Sequence, residues 1–264
     1  APPPPAPRRR RFASALTPSV VGGSGVAIFI LNRENINLGK STATVFVTAM
    51  MDELFYILAV PIVFLLLDAN QLFPESWAGA NDGATVRYLF YLGYGFILLL
   101  TSIIILAIFK FPFRFKRLLM NIFSIRLLKR WLRRAIVVGD EIIISSTELK
   151  GQKMRYWFKA FGATLVSWTA RFLTLNFIIL AFVGGFNHLV VYGRQLVMWV
   201  IMLISPTPGS SGVAELALSS FFEYLIPEAM LLLVVAIIWR LLTYFPYLFI
   251  GVFVLPRWLK RTGK

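Results

Sequence analysis

The sequence predicts an all-α integral membrane protein, a polytopic helical bundle with two re-entrant, broken-helix motifs arranged as inverted repeats. Hydrophobic residues make up 58% of the 264 residues, and the mean hydropathy is +0.74. Soluble domains are less apolar than this. The apolar residues are concentrated in blocks, each long enough for the roughly 20-residue helix that crosses a bilayer. Two similar segments rich in Pro and Gly interrupt further apolar sequence.

Four of the apolar blocks are predicted to cross the membrane completely. They carry few charges, and apolar residues occupy every face of a helix drawn through them, which suits lipid and protein neighbours better than water. The predicted spans are residues 42–67, 88–109, 160–183 and 230–255.

The amino-terminal region contains a basic, proline-rich arm and the first broken element. Residues 1–11 are a proline run followed by arginines, which predicts a disordered arm. The arm does not resemble a signal peptide, and its abrupt start leads us to expect natural sequence upstream. Residues 12–257 are the predicted transmembrane domain, and residues 258–264 are a basic tail.

Basic segments flank about 20 apolar residues that are interrupted by Pro18, Gly22, Gly23 and Gly25. We therefore expect a re-entrant element that enters from the cytoplasm.

The loop charges predict the topology. Residues 110–159 contain 13 Lys and Arg but only three acids, so this loop and the basic carboxyl terminus should be cytoplasmic. Residues 68–87 contain three acids and one arginine and should lie on the opposite side. Residues 189–226 then fit best as a hairpin that enters and leaves from outside, broken at the Pro- and Gly-rich residues 205–212. The alternative is an ordinary span over residues 189–205.

Within the cytoplasmic loop, residues 110–134 mix Phe, Leu and Ile with many Lys and Arg. This pattern is typical of an amphipathic helix on an anionic membrane surface, although a basic loop that only fixes topology explains it equally well.

The two broken segments resemble each other. The first contains Thr17, Pro18, Gly22 and Gly23, and the second contains Thr207, Pro208, Gly209 and Gly212. Asp52 lies 34 residues after Pro18, and Arg240 lies 32 residues after Pro208, each near the middle of a predicted span. Inverted repeats with broken helices are the architecture of many transporters. Their backbone N–H groups can bind an anionic headgroup, and the alternative is a packing turn without a ligand.

Five intramembrane charges complete the set of candidate lipid-binding residues. A charge at the bilayer centre costs about 2.5–3.5 kcal/mol on insertion scales and is usually functional or paired. One hypothesis is a structural ion pair, for example between Arg240 and a carboxylate on the span of residues 42–67. The other is that arginine binds a lipid phosphate through its planar fork while a carboxylate meets a cationic headgroup. The residues are Asp52, Glu53, Arg171, Glu215 and Arg240.

Three segments carry a family resemblance. Residues 12–23, residues 205–215 and residues 239–244 resemble signatures of the transmembrane, flippase-like region of bacterial lysylphosphatidylglycerol synthases, over about residues 12–257. The resemblance implies a multi-pass protein of the bacterial cytoplasmic membrane that moves a phospholipid between leaflets. In the best-known members this lipid is an aminoacylated phosphatidylglycerol. Additional amino-terminal helices and the soluble aminoacyl-transfer domain are not part of this sequence, so we expect translocation rather than synthesis.

Several other classes are disfavoured. The net charge of +15 is explained by cytoplasmic loops, and no nucleic-acid-binding signature accompanies it. With no cysteine and one histidine, a metal site of the usual kind is not expected, and neither is a cofactor. Aromatic residues such as Trp199 are expected at lipid-facing or interfacial positions. The alternatives to a non-enzymatic lipid translocator are an accessory subunit of a larger complex and, less favoured, a lipid-linked transferase. A homo-oligomer is possible.

Overall fold

The apolar blocks fold as helices because lipid offers no partner for backbone N–H and C=O groups, which must therefore bond within their own segment. A computed structural model describes residues 20–36, 38–74, 83–125, 128–203, 212–246, 253, 254 and 257. The regular structure in these residues is entirely helical. The α-helices are α1 (Val20–Arg33), α2 (Leu38–Leu66), α3 (Ala69–Leu72), α4 (Gly83–Ile105), α5 (Pro112–Ser124), α6 (Leu132–Lys150), α7 (Met154–Leu180), α8 (His188–Leu203), α9 (Val213–Phe222) and α10 (Ala229–Thr243).

Three helical stretches of the described residues are long and apolar enough to cross a membrane. They are Lys40–Leu66, Gly83–Lys110 and Met154–Leu180. The second includes a π-helical turn, Leu106–Lys110, that continues α4. These stretches confirm the first three predicted spans and the all-α membrane fold.

The fourth predicted span, residues 230–255, is not one continuous helix. Helix α10 begins at Ala229 and ends at Thr243, so it is about 22 Å long, shorter than the roughly 30 Å hydrocarbon core. The interruption is at Tyr244, whose φ of −116° and ψ of −54° depart from helical values, although residues 245 and 246 are helical again. The apolar composition continued past this point, which is why the sequence predicted a longer helix.

The first broken motif also differs from its prediction. Helix α1 runs without interruption from Val20 through Gly22, Gly23 and Gly25. Glycine weakens a helix by about 1 kcal/mol in water, but an apolar setting offers its backbone no alternative hydrogen-bond partner. Thr17 and Pro18 lie outside the described residues, so a break at the proline stays a prediction.

The chain divides into two compact units, of which the first comprises Ala1–Met50 and Ser102–Trp157. In this unit α5 and α6 form a helical hairpin. The Nζ of Lys116 on α5 lies 2.5 Å from the Asp140 carboxylate on α6. Beside this pair, a Cβ added to Gly139 would lie 2.5 Å from Cγ of Lys116, so the two helices approach closely there. The predicted amphipathic segment, residues 110–134, therefore contains α5 and only the first three residues of α6, and the rest of α6 lies beyond it.

The second unit comprises Met51–Thr101 and Phe158–Lys264, and α8 is its central helix. In α8, 11 of 16 residues are buried. Glycines allow close packing around it: a Cβ on Gly93 of α4 would lie 2.8 Å from the Val200 carbonyl oxygen of α8. Small residues commonly allow such approaches between membrane helices.

Helices α8 and α9 pack against each other, and α9 also packs against α10. Two short apolar helices in succession agree with the predicted hairpin over residues 189–226. Its tip, residues 204–211, lies outside the described part of the chain. Re-entrance into the membrane therefore stays a prediction for both motifs.

Candidate functional site

A cavity of about 550 Å³ opens within the second unit. Its walls come from α7, α8, α9, α10 and the residue that follows α10. Most of the lining is apolar, but two arginines and three hydroxyl-bearing residues of Ser and Thr contribute to it. The lining residues are Ser167, Ala170, Arg171, Thr174, Trp199, Met202, Ala214, Trp239, Arg240, Leu242, Thr243 and Tyr244.

Arg240 lies near the carboxyl end of α10, where Glu215, Trp239 and Tyr244 contact it. Its Nε donates a 2.8 Å hydrogen bond to Oε1 of Glu215, with only 11% of the arginine side chain exposed. The guanidinium lies 5.4 Å from the ring centroid of Trp239 and 5.2 Å from that of Tyr244. Aromatic faces attract cations, so the surroundings stabilise the charge beyond its ion pair.

Glu215 uses its second carboxylate oxygen to fix the start of α9. Oε2 accepts a 2.7 Å hydrogen bond from the backbone N–H of Gly212. A glutamate in the first turn of a helix commonly bonds back in this way, and its negative charge suits the positive end of the helix dipole. Gly212 has φ of +82°, a conformation that favours glycine. Thus Gly212, Glu215 and Arg240, all predicted site residues, are brought together.

Arg171 lines the same cavity from α7. Its guanidinium lies 5.0 Å from the ring centroid of Trp168, one turn earlier on the helix. The residues of α7 that face the cavity are Ser167, Ala170, Arg171 and Thr174. Their spacing follows one face of a helix. Both predicted arginines therefore face one cavity.

Asp52 and Glu53 on α2 do not line the cavity. Oδ1 of Asp52 accepts a 2.8 Å hydrogen bond from the indole Nε1 of Trp168. Oε2 of Glu53 is buried without a hydrogen-bond partner among the described residues. The ion pair predicted for Arg240 therefore exists, but its partner is Glu215 rather than either acid of α2. A charge at the centre of an apolar span predicts that a partner is needed, but it does not identify the partner.

Trp168 connects these acids with the cavity. It packs against Phe55 and Tyr56 of α2, and its ring lies 5.6 Å from that of Trp199, which lines the cavity. Trp199 was expected at a lipid-facing or interfacial position and is instead half-buried in this cluster. Trp168 was not among the residues predicted from the sequence. Its position three residues before an intramembrane arginine is the signal that would have identified it.

The remaining motif residues are not among the described residues that line this cavity. Gly22 and Gly23 belong to α1 in the first unit. Thr17, Pro18, Thr207, Pro208 and Gly209 lie outside the described residues. No cluster of three or more His, Asp or Glu side chains that could hold a metal ion occurs in the part of the chain that is described.

Arg194 on α8 is a buried cation that sequence reasoning also missed. Its side chain donates to the Gln71 carbonyl at 2.7 Å and to the Phe221 carbonyl at 2.6 Å, and its guanidinium lies 3.8 Å from the Tyr224 ring centroid. These contacts join α3, α8 and α9. Arg194 is therefore a structural residue of the second unit rather than part of the cavity.

The cavity thus combines two arginines with largely apolar walls, an arrangement that can accept an anionic group attached to apolar chains. The sequence model of the lysylphosphatidylglycerol synthase TM region matches residues 10–251. The chain is also similar to a UPF0104 membrane protein from Archaeoglobus fulgidus, with 25% identity over 256 residues, 91% of this chain and 71% of the relative. No solved structure matches the chain with significance. Because the family match covers nearly the whole chain, this protein belongs to the family of the lysylphosphatidylglycerol synthase transmembrane region.

Proposed function

We propose that this protein moves a phospholipid between the two leaflets of its membrane without changing the lipid covalently. One observation carries the proposal: Arg171 and Arg240, two arginines from apolar helices, line a single cavity with mostly apolar walls. A guanidinium in such a setting needs an anionic partner, and a lipid phosphate is the anion that a membrane supplies in quantity.

Arginine suits phosphate binding because its planar guanidinium donates two parallel hydrogen bonds to phosphate, whereas lysine cannot form this bidentate contact. The tryptophan, methionine, leucine and alanine side chains of the lining suit the first methylene groups of the acyl chains. The hydroxyl groups of Ser167, Thr174 and Thr243 are further donors for the headgroup.

Glu215 gives Arg240 a partner when no lipid is bound. A charge left unpaired at membrane depth is costly, and the 2.8 Å ion pair avoids that cost. An incoming phosphate then exchanges with the carboxylate instead of filling an empty site. The Glu215 side chain is 41% exposed, so its carboxylate is accessible to an amino group on the same headgroup. This favours an aminoacylated phosphatidylglycerol among the candidate lipids.

We further propose that the protein lies in a bacterial cytoplasmic membrane with residues 110–159 and the carboxyl terminus in the cytoplasm. The α5–α6 hairpin, which carries most of the basic residues of this loop, then lies on the anionic surface of the inner leaflet. Support comes from the excess of Lys and Arg in the loop and from exposed apolar side chains on α5, such as Phe113 and Leu118.

The experiment that tests translocation uses proteoliposomes with a headgroup-intact phospholipid labelled on one acyl chain. A membrane-impermeant quencher measures the label that reaches the outer leaflet. Wild-type protein should translocate the lipid. Arg240→Lys and Arg171→Lys should each slow translocation about tenfold, since each retains charge but loses a bidentate contact.

The matched control is Arg155→Lys, an exposed arginine near the start of α7 that does not line the cavity. It should translocate at the wild-type rate. Thermal stability is measured for every variant, so that loss of folding is separated from loss of transport. Full transport by stable Lys variants at both cavity positions would show that the arginines serve structure alone.

A further inference from the structure

A second cavity, of about 350 Å³, lies in the first unit where the π-helical turn Leu106–Lys110 meets α5. Its lining is apolar except for one arginine. We name it the junction groove. The lining residues are Leu106, Ala107, Phe111, Arg114, Phe115 and Leu118.

The junction groove is located at the end of a membrane span. The apolar helical stretch Gly83–Lys110 ends one residue before Phe111, whose φ of −135° and ψ of 50° break the helix. The Phe111 N–H donates a 2.8 Å hydrogen bond to the Leu106 carbonyl, which closes the π-helical turn. Helix α5 then starts with Pro112. Acyl chains meet headgroups at the ends of spans, so the groove lies at the level of that boundary.

Two cations stand at the rim of the junction groove. The guanidinium of Arg114 lies 5.0 Å from the Phe111 ring centroid, and the Nζ of Lys110 lies 5.4 Å from it. Both side chains are exposed. The ion pair of the α5–α6 hairpin joins Lys116 to Asp140, and no carboxylate pairs with Lys110 or Arg114 among the described residues. The rim therefore has positive charge available for an anion.

We propose that the junction groove binds one anionic phospholipid, with an acyl chain along Leu106, Phe115 and Leu118 and the phosphate at Arg114 and Lys110. A lipid presents a charged phosphate next to apolar acyl chains. The groove presents two cations next to an apolar floor at the end of a span, so the charged and apolar parts match in the same order. A water-soluble anion would use the cations but not the floor. This site is separate from the large cavity of the second unit and does not depend on the proposed translocation.

Native mass spectrometry of the purified full chain in detergent tests this site. The protein is exchanged into equal amounts of phosphatidylglycerol and phosphatidylcholine, and the lipids retained on it are counted. Wild type should retain phosphatidylglycerol in preference to phosphatidylcholine. Arg114→Gln should lower the occupancy of one phosphatidylglycerol about tenfold, the effect of losing a charge-assisted contact. Leu118→Gln, at an exposed position on the floor, should also lower it.

The matched control is Arg133→Gln, which removes the same charge from an exposed site near the start of α6. Asp140 of α6 faces Lys116 of α5, so Arg133 lies toward the other end of the hairpin from the groove. It should retain lipid as wild type does. Equal losses from Arg114→Gln and Arg133→Gln would overturn the site in favour of diffuse charge attraction. Displacement of the lipid by free glycerol phosphate at the same concentration would overturn it in favour of a soluble anion.

Discussion

The indole N–H of Trp168 on α7 donates a 2.8 Å hydrogen bond to the carboxylate of Asp52 on α2, 116 residues earlier in the chain. The same indole ring lies 5.0 Å from the guanidinium of Arg171. One tryptophan thus contacts a negative and a positive intramembrane charge at once. Its removal should affect the packing of α2 on α7 as well as the wall of the large cavity.

Trp168→Phe should lower the free energy of unfolding by about 1–3 kcal/mol, because it leaves the partly buried Asp52 without this donor while retaining most of the ring contacts. Thermal unfolding in detergent measures the change. The double variant Asp52→Leu, Trp168→Phe should lose less free energy of unfolding than the sum of the losses in the two single variants, because both members of the hydrogen-bonded pair are then removed together. Additive losses would contradict a direct interaction. Trp131→Phe, at an exposed position, is the control.

Gly212→Ala should destabilise the protein by about 1–2 kcal/mol, because a side chain at φ of +82° is strained whatever space surrounds it. Gly162→Ala is the matched substitution within α7, where an added Cβ meets no atom within 4 Å. It should be neutral or stabilise by about 0.5–1 kcal/mol. Gly212→Ala should therefore lower the unfolding temperature, while Gly162→Ala leaves it unchanged or raises it, and equal shifts would be inconsistent with the geometry at Gly212.

Gly93→Ala and Gly95→Ala differ by two positions on α4 and should behave differently. A Cβ on Gly93 would lie 2.8 Å from the Val200 carbonyl oxygen, a backbone atom of α8 that cannot move independently, whereas a Cβ on Gly95 meets open space. We expect Gly93→Ala to lose about 1–3 kcal/mol of stability and Gly95→Ala to lose none. Unfolding midpoints in one detergent provide the comparison. A tolerated Gly93→Ala would mean that α4 and α8 lie farther apart.

Cysteines introduced at Asp68 and Ser124 should react with an impermeant thiol reagent from opposite sides of the membrane. Both positions are exposed, and the 264 residues contain no cysteine to interfere. The expectation follows from the Lys and Arg excess in residues 110–159. Intact cells or oriented vesicles, compared with permeabilised ones, distinguish the sides. Labelling of both cysteines from one side would refute the proposed orientation and the inverted-repeat hypothesis with it.

Long apolar blocks made α2, α4 and α7 predictable from the sequence, since backbone groups in lipid leave few alternatives to a helix of that length. Arg171, Glu215 and Arg240 were predictable for a related reason: a charge in an apolar block is rare enough to stand out. The family resemblance was predictable from three short segments and is confirmed across residues 10–251.

Pairing was much harder to predict than position. The acids of α2 were offered as examples of a partner for Arg240 because any carboxylate at similar depth meets the same requirement, and only the packing of α9 on α10 selects Glu215. The segment between α5 and α6 carries no Gly or Pro to mark it, so the end of the amphipathic helix at Ser124 and the packing of α6 against it were not predicted. The glycines of α1 suggested a break in the helix. Composition alone does not show whether the backbone N–H and C=O groups have hydrogen-bond partners outside the helix, and without such partners the helix continues.

The double use of the Glu215 carboxylate has a consequence for how this part of the protein can change over time. One oxygen anchors Arg240 of α10 and the other anchors the first turn of α9, so a substitution at position 215 disturbs two helices in a single mutational step. A substitution of Arg240 removes one of these hydrogen bonds, and a side chain at position 212 strains the backbone whose N–H forms the other. We therefore expect positions 212, 215 and 240 to vary together among relatives of this chain, because a change at one of them alone lowers stability.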